Sequence, residues 1–148
     1  GARGISWFRY FSQGEAAPIQ YGEKTVYWYY LRDVQMQLHR LGQTYITLTN
    51  NNVFHHPNVP SGSRNIGTSQ HVQSLTGGDF VVGEFTDPAA RKFILVANKS
   101  VTSNATLSVT FKTAGTIYRV SSATGQLELF TQGQTLLPGE GALLKLVN

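Results

Sequence analysis

At 148 residues the chain has room for one domain with a sizeable core, and it carries 41% hydrophobic but only 14% charged residues. That charged fraction lies well below the roughly 25% of an average soluble protein and suits a secreted or periplasmic β-protein with neutral polar faces. The net charge of +4 comes from scattered basic residues with no basic run to follow a phosphate backbone, and the absence of cysteine excludes disulfides, thiolate zinc sites and a cysteine nucleophile.

The chain opens with GARGISWFRYFS, in which Ile5, Trp7, Phe8, Tyr10 and Phe11 read as an aromatic strand. No stretch approaches the roughly 20 apolar residues that cross a bilayer, so no membrane partner is expected. No charged start followed by an apolar core marks a signal peptide, and the chain is expected to be already trimmed. A polar connector, 13 to 23, leads into KTVYWYYLRDVQMQLHRLG, which predicts a helix over 24 to 41 that ends on Gly42 as its C-cap residue.

At about 100° per residue, Tyr27, Tyr30, Leu31, Val34, Leu38 and Leu41 fall on one stripe that is expected to face a core. The other side holds Arg32, Gln35, His39 and Arg40, but also Trp28, Tyr29 and Met36. A helix apolar on two sides is expected to lie between two layers. Trp28 and Tyr29 then have two readings: a sugar-stacking platform, or packing against a second layer or a missing domain.

From Tyr45 the pattern turns to period two, and the candidate strands are Tyr45 to Thr49, Val72 to Leu75, Phe80 to Phe85, Lys92 to Asn98, Ala105 to Phe111, Thr116 to Ser121, Leu127 to Phe130, Thr135 to Leu137 and Ala142 to Val147. Gly77-Gly78-Asp79, Asp87-Pro88, Thr113-Ala114-Gly115, Thr124-Gly125 and Pro138-Gly139-Glu140-Gly141 supply hairpin turns. By contrast, Asn50 to Gln70 shows little periodicity and predicts a long irregular connection. The fold class expected is a mainly β, antiparallel sandwich of about eight strands, carrying one N-terminal strand and one amphipathic helix. The division is 1 to 42 followed by a sandwich over 43 to 148.

Catalytic constellations are thin. The acids Glu15, Glu23, Asp33, Asp79, Glu84, Asp87, Glu128 and Glu140 are scattered on the helix, strands and turns, and read as solvated surface groups with no pair standing out. His55, His56 and His71 have the chemistry of metal ligands but no spaced acid partner, so no metal or other cofactor is expected. No Gly-x-Ser-x-Gly elbow accompanies any serine. Asn98-Lys99-Ser100 and Asn104-Ala105-Thr106 match the glycosylation acceptor pattern, which is frequent by chance.

Several segments in order carry a family likeness. Gly1 to Ser6, the aromatic Trp7-Phe8-Arg9-Tyr10, the helix phrase Tyr27-Trp28-Tyr29-Tyr30 and the exit Leu41-Gly42 resemble the last strand and helix of the (β/α)8 barrel of many glycoside hydrolases, above all the large clan of retaining enzymes. The later segments Gly83-Glu84-Phe85, Phe93 to Ser100, Tyr118 to Ser121, Thr124-Gly125 and Leu136 to Ala142 resemble the small antiparallel domain that follows such barrels. The resemblance implies a C-terminal accessory piece of a carbohydrate-degrading enzyme.

It also implies that the two catalytic carboxyls of a retaining enzyme, set about 5 Å apart, come from earlier strands. The other βα units would have to lie upstream, because a barrel without them cannot close its sheet. In the resembled barrels the strand end lines the substrate mouth, which makes Trp7, Arg9 and Tyr10, with Trp28 and Tyr29, the candidate carbohydrate contacts. The structural alternative is that these rings fill the space between strand and helix. An independent carbohydrate-binding module and an interaction or oligomerisation domain are the other readings. The partners to expect are carbohydrate, a missing barrel, or a second copy meeting the helix.

Overall fold

The computed structural model describes residues 5–6, 11–12 and 17–148. In chain order it has short strands β1 (Phe11–Ser12), β2 (Ile19–Gln20) and β3 (Glu23–Lys24), then helix α1 (Val26–Tyr45). There follow β4 (Thr49–His56), a 3-10 turn (Ile66–Thr68), β5 (Val72–Thr76), β6 (Phe80–Thr86), β7 (Lys92–Asn98), β8 (Ala105–Phe111), β9 (Thr116–Val120), β10 (Leu127–Leu129), β11 (Gln134–Leu136) and β12 (Gly141–Val147).

Two antiparallel sheets form the body. One has six strands in the order β10-β9-β12-β7-β6-β4, and it faces a three-stranded sheet ordered β11-β8-β5. Period-two patterning decides which side chains meet between them. Phe80, Val82, Ile94, Val96, Ala142, Leu144 and Leu146 point inward from the large sheet, against Val72, Leu75, Leu107, Val109, Phe111 and Leu136 from the small one. Each fully buried side chain of this size contributes about 1.5–3 kcal/mol relative to leaving it in water, so the interior supports the domain without disulfides.

The opposite face of the large sheet is also apolar where α1 ends. Phe85, Phe93, Val120 and Leu143 form a second cluster with Leu48, onto which Leu41, Tyr45 and Leu95 pack, and the Tyr45 and Phe85 rings meet edge-on at 5.3 Å. This explains why β7 and β12 read as nearly continuous apolar runs. Both of their faces are covered.

Three expectations are corrected. The helix spans Val26–Tyr45 rather than 24 to 41, and it runs straight through Gly42, whose carbonyl accepts from the cap Ile46 N–H at 2.9 Å. A glycine inside a helix costs about 1 kcal/mol, which the packing of half-buried Leu41 and Tyr45 on the second cluster offsets. Tyr45 is therefore helical and opens no strand. Gly125 seats the β9–β10 turn against this end of the helix: a Cβ there would stand 3.1 Å from the Arg40 carbonyl oxygen.

The second correction concerns the stripe expected to face a core. Helix α1 has no buried residue, and Tyr27, Tyr30, Val34 and Leu38 are 48%, 62%, 43% and 40% exposed. Only its last turns dock, so α1 does not lie between two layers of the described residues. The hydroxyl of Thr25 anchors the other end of the helix, donating to the Ala17 carbonyl at 2.5 Å and the Pro18 carbonyl at 3.2 Å.

The third correction is that Asn50 to Gln70 is not wholly irregular. Its first part belongs to β4, the edge strand paired with β6 through a bulge at Asn50/Asn52, and Phe54 is buried. The rest does run as turns, broken by the short 3-10 segment.

Candidate functional site

Of the candidate carbohydrate contacts, Trp7, Arg9 and Tyr10 lie outside the described residues. Trp28 and Tyr29 are adjacent near the start of α1, where their rings meet edge-on at 5.1 Å and an 82° interplanar angle. The Lys24 ammonium sits 4.0 Å from the Trp28 ring centre, and the Arg32 guanidinium lies 5.7 Å and 5.5 Å from the two rings. A cation over an aromatic face takes the place that an apolar sugar face would use. Arg32 is itself tied to Asp33 by bonds of 2.9 and 2.7 Å to one carboxyl oxygen.

The acids divide more sharply than surface groups would. Glu84 is fully buried, facing inward from β6 beside Val82. Its Oε1 accepts from the Ser69 hydroxyl and from the His71 backbone N–H at 2.8 Å, and its Oε2 accepts from Gln70 N–H at 3.4 Å. Ser69 Oγ in turn accepts from Val72 N–H at 2.7 Å, so one carboxyl group organises the whole entry to β5. Its role is to satisfy backbone donors, as a buried polar group must. Asp87 is buried as well and closes its own turn, accepting from Ala89 N–H at 3.0 Å and Arg91 N–H at 2.9 Å, with the Arg91 side chain at 2.5 Å. The expectation of solvated acids therefore fails at Glu84 and Asp87, where unpaired backbone donors in tight segments require an acceptor.

Among the described residues no group of three or more histidine, aspartate and glutamate side chains comes together as a metal cage. His71 is buried, with both ring nitrogens lacking a hydrogen-bond partner. Of the two glycosylation patterns, Asn98 is buried and its amide nitrogen donates to the carbonyls of Ser103 at 2.8 Å and Leu137 at 3.1 Å, whereas Asn104 is exposed.

A polar concavity lies elsewhere, along β4. It is an open groove of about 410 Å³ lined by Asn51, Asn52, Val53, His55, Gly62, Ser63 and Arg64. The His55 backbone N–H donates to the Arg64 carbonyl at 2.8 Å and stitches the 62–65 loop to the strand. Arg64 Nη1 donates to Asn52 Oδ1 across the groove. Sequence reasoning missed this site because it placed the segment in an irregular connection. The one available signal was the Asn50-Asn51-Asn52 run itself.

An ionic network lies beside the start of β6, where Phe80 pairs with His56. Lys99 Nζ is 2.8 Å from Asp79 Oδ1 and donates to the Asn58 carbonyl at 2.7 Å, while Asn58 Nδ2 donates to Asp79 Oδ2 at 3.1 Å. The hydrogen bond from Lys99 holds the Asp79 carboxyl below its ordinary 3.8. For Asp87, burial pushes upward, but the Arg91 backbone N–H and guanidinium outweigh it and the net direction is also down. A depressed native value means the unfolded chain binds more protons. This stability is thus present at neutral pH and is lost as pH falls below about 4. Urea midpoints should drop between pH 7 and pH 3, and the drop should shrink in Asp79→Asn and Asp87→Asn. An unchanged drop in both variants would place the acid sensitivity elsewhere.

Compared with protein-family models, curated proteins and solved structures, the chain gives no significant match to any.

Proposed function

We propose that this chain is a non-catalytic C-terminal accessory module of a glycoside hydrolase, and that it braces a catalytic (β/α)8 barrel through α1. The observation that carries the reading is an incompletely covered helix on a complete sandwich. Its C-terminal turns pack Leu41 and Tyr45, both half-buried, onto the second cluster, yet Tyr27, Tyr30, Val34 and Leu38 remain 40% or more exposed. A contiguous apolar helix stripe of this kind marks a surface that another body covers. The order in the sequence of the aromatic segment Trp7 to Tyr10, the aromatic helix and the antiparallel domain supplies the identity proposed for that body. Under this reading the catalytic carboxyl pair belongs to the barrel, and this chain acts in a secreted or periplasmic enzyme that degrades polysaccharide.

Two measurements test it. The purified chain is expected to self-associate through the exposed stripe, with light scattering showing a dimer or larger, and Tyr30→Lys with Val34→Lys should return it to a monomer. A clean wild-type monomer at high concentration would refute the docking role of the helix. The coding sequence upstream of Gly1 should encode the remaining βα units, and its failure to do so would overturn the parent-enzyme assignment.

A further inference from the structure

The groove beside β4 is built rather than incidental. Its floor is a β-bulge at Asn50/Asn52, held by Asn50 Nδ2, which donates to the carbonyls of Asn52 and Glu84, both at 3.2 Å. Bulges recur next to binding sites because they re-aim a side chain out of the ladder. The extra residue here is Asn51, whose Nδ2 donates to Thr86 Oγ1 at 3.3 Å, a bond that leaves its amide oxygen as an acceptor. The far wall is the 62–64 loop, fixed by the His55–Arg64 backbone bond and by Ser63 N–H donating to the Pro60 carbonyl at 3.0 Å.

The chemistry of the lining selects a ligand class. Its one formal charge is the Arg64 guanidinium, and no acid lines it. A guanidinium has five N–H donors, and the Arg64 bond to Asn52 Oδ1 leaves most of them for an anion. Around that cation stand the neutral amides of Asn51 and Asn52 and the Ser63 hydroxyl, which both donate and accept. The groove is open to solvent, and at about 410 Å³ it has room for a sugar residue. An added peptide strand fits poorly, because the β4 edge is bulged and already bridged at His55 by Asn65.

We propose that this groove binds an acidic saccharide, with a uronate carboxylate on Arg64 and sugar hydroxyls on Asn51, Asn52 and Ser63. The assignment rests on the accessory-module reading for its choice of a sugar over another hydroxylated acid, and it gives that module a glycan-holding site distinct from α1.

Amide chemical shifts should be followed while trigalacturonic acid is titrated, with cellotriose and acetate as controls. The expected result is saturable, salt-sensitive shifts at Asn51 to His55 and at Arg64, with millimolar affinity. Arg64→Gln should weaken binding about tenfold, the loss of one charge-assisted contact, and Asn51→Ala should weaken it less. Absence of shifts in the groove would overturn the proposal. Equal shifts with cellotriose would overturn the role of the carboxylate, and equal shifts with acetate that of the sugar. Shifts confined to Trp28 and Tyr29 would overturn the groove while leaving carbohydrate contact by the module standing. The light-scattering test of α1 does not involve the groove, so either idea can fail alone.

Discussion

Replacing Glu84 with alanine is expected to destabilise the fold by about 3–5 kcal/mol, since it strips the carboxyl acceptor from the buried Ser69 hydroxyl and the buried His71 N–H, and from the part-buried Gln70 N–H. The Ser69 hydroxyl and the N–H groups of Gln70 and His71 converge on this one carboxyl group inside the sandwich. Bulk solvent does not reach the site, because Glu84 is 0% exposed, as are Phe80 and Val82 on the same strand. Glu84→Gln keeps one carbonyl oxygen at nearly the same volume and should recover part of the loss. Urea unfolding with an unchanged m-value is the measurement. An alanine variant within about 1 kcal/mol of wild type would show that the Ser69–His71 segment does not depend on this carboxyl.

Gly77→Ala should be comparably damaging, for a steric reason. Gly77 closes the β5–β6 turn at φ +99°, and a Cβ built there would lie 1.5 Å from the Thr106 carbonyl oxygen and 2.6 Å from its carbonyl carbon. Neither is the end of a flexible side chain, so β8 itself must move. The same residue accepts from Thr106 N–H at 2.8 Å, a bond that the displacement would break. A loss of about 3 kcal/mol or more is expected, together with faster hydrogen exchange of the Thr106 amide. Gly139→Ala is the control. It too has positive φ, +71°, but nothing lies within 4 Å of the added carbon, so it should cost only about 1–2 kcal/mol. Equal losses in the two variants would mean that backbone conformation, and not the contact with β8, sets the cost at Gly77.

Much of the sheet was legible because period-two burial leaves a mark on each strand. Ala105, Leu107, Val109 and Phe111 alternate with Thr106, Ser108 and Thr110, and the strand occupies those residues. The other strands from β5 to β12 begin and end within a residue of where alternation and turn chemistry placed them. Strand β4 escaped because its sequence, TNNNVFHH, has three asparagines and one buried residue. Asparagine is disfavoured in strands, and an edge strand with a bulge needs few apolar positions. The groove went unseen with it, since its walls are an unrecognised strand and a loop that pairs with it.

Local chemistry in the sequence determined what each segment could bury and where the chain could turn, and hence a mainly β, antiparallel sandwich with one helix. Periodicity reports only that a face is apolar and is silent on what covers it, so tertiary structure alone decided the fate of α1. Its last turns found the second cluster, which carried the helix past Gly42, while its Tyr27–Leu38 stripe stayed exposed. Tertiary structure likewise separated chemically identical acids. Glu84 sits inside because three donors from a distant segment meet it there, a convergence that no spacing along the chain records.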